Sequence, residues 1–204
     1  MLNYKIDLSE VDKIKEINKI EKDYRIKNLQ HFNEEGFPNK KKEDWKFLDL
    51  REIISKNFKK FEFQTKQIKE KKINYIKDFD HNFIVNINGE LITSNFKYEK
   101  NSEIKIEKFK NDNFSEKKEI NSLVNLNHAL SDKGYYLEIK DNYKFNKVLV
   151  VYNLFTCELN ENFLNFRNKI NLGKNSELHM IEFVLNDSNK NFFSNTYENF
   201  TLQD

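Results

Sequence analysis

At 204 residues the chain is long enough for one large domain or two modest ones, and a chain of that size buries most of the apolar surface its unfolded form exposes. Its 35 Lys and Arg nearly cancel 33 Asp and Glu to leave +2, which argues against a general polyanion-binding surface and does not imply nucleic acid. With 19 Phe and 9 Tyr it is a poor match to disordered composition.

The 31 Asn and single Ala, Ala129, fit an AT-rich coding background, and most Lys and Asn are expected on solvated surface. One cysteine, Cys157, cannot form an intramolecular disulfide, and Met1 is followed by Lys5 and Asp7 rather than an apolar run. A reducing, cytoplasmic setting is expected. No stretch approaches the roughly 18 uninterrupted apolar residues of a membrane span.

In chain order, Ser9 with Asp12 marks a helix start, and Val11, Ile14, Ile17, Ile20 and Tyr24 recur every three or four positions. That spacing predicts an amphipathic helix to about Asn33, stopped by Gly36 and Pro38. A second helix is predicted from Glu43 and Asp44, with Phe47, Leu50, Ile54, Phe58 and Phe61 on one face. Residues 1–65 thus read as a helical domain, and 66–80, rich in Lys and Asp, as a linker. From 81 to 204 the pattern turns to strands. Phe83, Val85 and Ile87 alternate with polar residues up to Asn88-Gly89, the preferred pair for a type I′ turn, and Leu91 and Ile92 follow as the return strand of a hairpin.

A strand over Glu103 to Phe109 precedes a short helix holding Leu123, Leu126 and Leu130, which Gly134 is expected to end. Strands are then predicted at Tyr135 to Ile139, Val148 to Leu154, Phe163 to Leu172, Glu177 to Leu185 and Tyr197 to Leu202, separated by turn signals. Short strands without long helices between them fit a sandwich or a parallel β-helix, and periodicity does not separate the two. No exact repeat of fixed length is present.

Few residues point to chemistry. His31, His81, His128 and His179 are far apart, and none has a second ligand at metal spacing, so each is read as a surface or satisfied core histidine. Cys157 follows an apolar run with no His or Lys beside it, which predicts a buried structural thiol. Glu158, Glu161 and Glu182 show no paired spacing for acid/base work and are expected in solvent. Four glycines, Gly36, Gly89, Gly134 and Gly173, could hardly build a phosphate loop. Lys40, Lys41, Lys42 and Lys46 surround Trp45, but Glu43 and Asp44 offset half that charge, so a solvated helix start with Trp45 packed inward is expected.

The run Gly36-Phe37-Pro38-Asn39-Lys40-Lys41-Lys42-Glu43-Asp44-Trp45-Lys46-Phe47 resembles the Gly-x-Pro, basic run, Glu-x-Trp-Lys-aromatic signature near the N-terminus of SufD proteins. Gly36, Pro38, Glu43, Trp45 and Lys46 carry it, in structural roles. Similarity continues through Phe83 to Ile92, Leu123 to Leu130, Lys133 to Ile139, Phe166-Arg167-Asn168 and Glu177 to Glu182, in order along all 204 residues. The resemblance implies a helical N-terminal domain followed by a right-handed parallel β-helix, and a non-catalytic scaffold subunit of the Suf iron–sulfur cluster assembly complex, with SufB-like and SufC-like partners. It implies no cofactor bound directly by this chain, the cluster being handled by the complex, and no catalytic, cofactor or metal residue here. It also implies that the chain stops just inside the β-helix. A solenoid cut between coils leaves unpaired backbone and an uncovered interior, so the isolated chain is expected to self-associate. The rivals are a β-helix enzyme acting on polysaccharide and a small basic nucleic-acid-binding module built on Lys40 to Lys46.

Overall fold

The computed structural model describes residues 5–63, 73–110 and 121–203. Residues 66–72 of the expected linker, 66–80, lie outside the described residues; the rest, from Ile73, packs Ile73 and Ile76 on the sheet. The single helix predicted from Ser9 to about Asn33 is two elements. A 3-10 turn, Leu8–Lys13, is capped by Asp7, whose side chain accepts from Ser9 N at 2.8 Å. Glu16 then adopts φ 60°, which interrupts helical backbone, and Asn18 starts α1 (Lys19–Glu35) by accepting from Glu21 N at 2.9 Å. Val11 stays fully buried, but Ile20 falls on the solvent side.

Gly36 closes α1 at φ 69°, its N–H donating to the Phe32 carbonyl at 2.6 Å. Glu43–Trp45 form only a 3-10 turn, and α2 (Leu50–Asn57) begins later because Asp49 is the residue that caps Glu52 N, at 2.9 Å. Phe47 therefore precedes the helix and is 88% exposed, contrary to its expected place on the buried face. Leu50, Ile54 and Phe58 are buried as expected. The helical segments share one apolar cluster with the sheet: Leu29, Phe32, Phe37 and Ile54 meet Phe163, whose ring lies 4.6 Å from Phe58 and 5.0 Å from Phe61.

Among the described residues eight strands follow: β1 (Asn82–Ile87), β2 (Glu90–Asn95), β3 (Ile104–Lys108), β4 (Lys133–Ile139), β5 (Leu149–Phe155), β6 (Phe163–Leu172), β7 (Met180–Asn186) and β8 (Phe193–Leu202), with α3 (Ser122–Leu130) before β4. The fold is mixed α/β, with a helical N-terminal region and a curled sheet in the order β7-β5-β1-β2-β4-β6-β8, β3 lying antiparallel on β4. The β1–β2 hairpin turns through Asn88 and Gly89, both at positive φ, as a type I′ turn requires. From it two arms of parallel strands run outward, β1-β5-β7 and β2-β4-β6-β8. Strands two steps apart in the chain pair, so Tyr135 meets Asn168 after 33 residues and Asn168 meets Glu198 after 30. That unequal spacing is why no exact repeat is visible in the sequence.

The arms curl so that their inward residues form one core, with Ile84, Leu149 and Val151 from one side and Tyr135, Leu137, Ile139 and Ile170 from the other. Gly134 does not end α3, which closes at Leu130 with Ser131 as cap; it sits inside β4 at φ 116°. A Cβ there would lie 1.8 Å from the Arg167 carbonyl oxygen, so glycine is what lets β4 approach β6. Gly134→Ala adds this clash to the cost of a positive φ, and we expect a loss of about 3 kcal/mol or more in folding free energy, measured by urea denaturation.

Candidate functional site

The distinctive chemistry of the molecule lies where the two arms stop. β7 and β8 each pair with a single strand, leaving one edge of each free among the described residues. Inward positions follow the parallel registers: Val151 leads to Glu182, Leu137 and Ile170 lead to Phe200, and Ile139 and Leu172 lead to Leu202. In the inner layers these positions are sealed. In the last layer they are open: Val184 is 64%, Phe200 49% and Leu202 69% exposed.

A column of polar side chains runs through this interior. Asn86 Nδ2 donates to Asn153 Oδ1 at 2.8 Å, and Asn153 Nδ2 in turn donates to Glu182 Oε1. On the facing arm, Asn168 Oδ1 accepts from Tyr135 N at 3.3 Å while its Nδ2 donates to Glu198 Oε1 at 3.1 Å. Parallel pairing stacks like positions, so an Asn on one strand can satisfy the next layer's acceptor. Burial, and then the charge of Glu198, push the Glu182 carboxyl above its ordinary range. The Tyr135 hydroxyl is fully buried without a hydrogen-bond partner, and burial followed by the charges of Glu198 and Glu182 raises its pKa.

Glu182 is exposed, as expected from the sequence, but it is not an isolated carboxylate, since the fold also brings it under the influence of the Glu198 charge. Register hid this pair, because nothing local says that β7 and β8 sit opposite one another. Most asparagines among the described residues are not buried, as expected, but a minority are. Asn82, Asn86, Asn125, Asn127 and Asn168 are buried; the Asn82 and Asn127 amides donate to the Lys147 and Phe166 carbonyls, Asn86 to Asn153, and Asn168 to the Glu198 carboxylate.

A second polar cluster joins the helices to the sheet. His128 on α3 contacts the Tyr24 hydroxyl through Nδ1 at 2.7 Å and the Arg167 guanidinium through Nε2 at 3.1 Å. Arg167 lies over the rings of Phe109 and Tyr197, at 5.3 and 5.0 Å. Arg25 pairs with Glu21 at 2.7 Å and donates to the Ser131 carbonyl at 2.8 Å, tying α1 to the end of α3. Burial, then the positive charges of Arg167 and Arg25, hold His128 far below its usual 6.5, at about 3.

The other histidines stay apart. His81 is buried against the Tyr152 hydroxyl at 2.9 Å, His31 lies 3.7 Å from Glu34, and His179 is exposed beside Glu177 at 3.2 Å. Cys157 is exposed, against the expectation of a buried thiol, because it follows β5 in a turn; its Sγ lies 3.8 Å from Glu158. Glu161 accepts from Lys59 N at 3.3 Å. Among the signature residues, Trp45 packs partly buried on the helical core cluster, the Pro38 carbonyl accepts from Arg51 N at 3.2 Å, and Glu43 pairs with Lys46 at 2.9 Å. Lys42 pairs with Glu35 at 2.7 Å, so part of the Lys40 to Lys46 charge is neutralised within the fold.

Among the described residues no group of three or more His, Cys, Asp or Glu side chains is gathered as a metal site, and no helix is long and apolar enough to cross a membrane. No family model matches the chain, and no curated protein matches it.

A neutral His128 in the fold gives a pH dependence of definite sign. Its folded pKa lies below the unfolded value, so the unfolded chain binds the extra proton and stability falls as pH drops through the unfolded pKa. Between about pH 6.5 and about pH 5 the expected loss is about 2 kcal/mol. The ring carbon shifts of His128 should stay those of neutral imidazole at about pH 5, and His128→Gln should flatten the stability slope in urea titrations.

Proposed function

We propose that the chain is a SufD-type scaffold component, non-catalytic by itself, whose strands form the first coils of a right-handed parallel β-helix and whose task is to hold partner subunits. The observation that carries this reading is the pairing of strands two steps apart in parallel, about thirty residues per circuit, with apolar interior residues uncovered on β7 and β8. A stack of this kind satisfies each layer by its neighbours, which is the packing expected of a β-helix scaffold. The helical cap anchored by Gly36, Pro38 and Trp45 supports the same reading, since these are the positions on which the resemblance to SufD rests.

On this proposal the partners are SufB-like and SufC-like subunits, the iron–sulfur cluster is handled by the complex rather than by residues of this chain, and the setting is the cytoplasm. Co-expression with the SufB-like and SufC-like proteins of the same source, followed by affinity purification through a tag on this chain, should recover both; recovery of neither removes the support for the assignment.

The uncovered layer makes a second expectation. Alone, the chain should self-associate, and light scattering after size exclusion should give a mass above 24.7 kDa that rises with concentration. Val184→Lys with Leu202→Lys places charge on the open interior and should restore the monomer at least tenfold higher in concentration, an effect of about 1.4 kcal/mol. A clean monomer in the unmodified chain would count against the open stack.

A further inference from the structure

We propose that the cleft between residues 75–83 and the Lys97-Tyr98 segment takes a nucleoside monophosphate, its base stacked among aromatic rings and its phosphate held at the rim by Lys77 and Lys97. The cleft encloses about 350 Å3, at the small end for a ligand site, so it has room for one ring system rather than a chain of them. It opens beside the β1–β2 hairpin, and none of its lining residues lies on β7 or β8. Tyr75, Phe79, Phe83 and Tyr98 line it with His81, the Tyr75 ring 4.6 Å from Phe83 and the Phe79 ring 5.2 Å from His81. Tyr75 is 38% and Phe79 42% exposed, so flat apolar faces meet solvent at the mouth.

Both walls are fixed before any guest arrives. On one, Ile76 N donates to the Tyr152 hydroxyl at 3.1 Å, that hydroxyl donates to His81 Nε2 at 2.9 Å, and His81 Nδ1 donates to the Phe79 carbonyl at 3.0 Å. The carbonyl only accepts, so Nδ1 carries the proton, and the imidazole offers the cleft a ring face and no spare hydrogen bond. On the other wall, Glu99 accepts from Asn82 Nδ2 at 2.7 Å, the Tyr143 hydroxyl at 2.8 Å and Lys147 N at 3.1 Å, which pins the segment that carries Lys97 and Tyr98. The Tyr98 hydroxyl crosses between the walls to donate to Asp80 Oδ1 at 2.6 Å. Walls held in this way lose little freedom on binding. Flat rings select a planar guest by stacking, which every base satisfies. Charge decides the rest. Lys77 and Lys97 outnumber Asp80 around the cleft, and Asp80 already accepts from Tyr98, so an anionic group is favoured over a cationic one. Lys97 Nζ lies 4.6 Å from the centre of the Tyr98 ring, which puts positive charge at the edge of the stacking surface. Because the lysines stay solvated, the dissociation constant should be about 0.1 mM. The inference rests on this cleft alone and not on the scaffold assignment.

The test is calorimetric titration and saturation-transfer NMR of the whole chain with AMP, adenosine, inorganic phosphate and choline. AMP should bind with about the stated constant and receive saturation at its base protons, adenosine should bind about threefold more weakly, and an equal concentration of phosphate should not displace AMP. Phe79→Ala, at the exposed mouth, should weaken AMP about tenfold. Lys97→Met keeps a stem over Tyr98 and should weaken AMP about threefold while leaving adenosine unchanged. Both variants should keep the urea midpoint of the parent chain. Absence of saturation transfer to AMP at about 2 mM, some twenty times the expected constant, overturns the site. So does AMP affinity that survives both substitutions, adenosine binding as tightly as AMP, or choline binding more tightly than AMP, which would make the cleft a cage for cations.

Discussion

Parallel ladders between strands two steps apart are the constraint from which the rest of the molecule follows. Because β4 pairs with β6 in register from Lys133 to Ile139, and β6 with β8 over ten residues, each inward side chain is stacked on another roughly thirty positions away. Apolar columns such as Leu137, Ile170 and Phe200 bury area in the ordinary way. A polar residue admitted to the interior has to be matched in the neighbouring layer, and Asn can do this because its amide both donates and accepts. The same close stacking leaves no room for a side chain at Gly134, under the Arg167 carbonyl.

Much of the strand pattern was legible, and for physical reasons. Alternation marks a half-buried strand, and the Asn88-Gly89 pair selects its turn through the positive φ that both residues accept. Phe163 to Leu172 was predicted to the residue, since its apolar run is bounded by turns on both sides. What failed depended on single local decisions. Glu16 in the left-handed region and Asn18 as a cap divided one apparent helix, and Asp49 took the cap expected near Glu43, which put Phe47 in water. Gly134 carries the same letter as a helix stop, but its reason is interstrand distance.

The candidate site was far less legible. Glu182 reads as a polar residue in an alternating strand, and only its register with Val151 turns it inward. Glu198 was not singled out at all, for its significance comes from Asn168 and Tyr135, both distant in sequence. The buried cluster of Tyr24, Arg25, His128 and Arg167 was equally hidden, being assembled from α1, α3 and β6. Buried cations held by carbonyls, rings and a neutral imidazole cost more to leave unmatched than they contribute when matched, so such a junction fixes how helices sit on the sheet more than it adds stability.

The hairpin at the centre of the sheet order has a kinetic corollary. Since β1 and β2 meet directly and, β3 aside, every later strand attaches to the outer edge of a strand already laid down, the sheet lengthens outward, alternately on the left and right arms. The later additions, β6 on β4, β7 on β5 and β8 on β6, each join positions about thirty residues apart, and the 67 residues from Asn82 to Leu149 that β5 spans to reach β1 cost under about 1 kcal/mol more. A nascent chain could therefore wind its layers in the sequence in which the ribosome delivers them, with the Asn88-Gly89 turn as the seed.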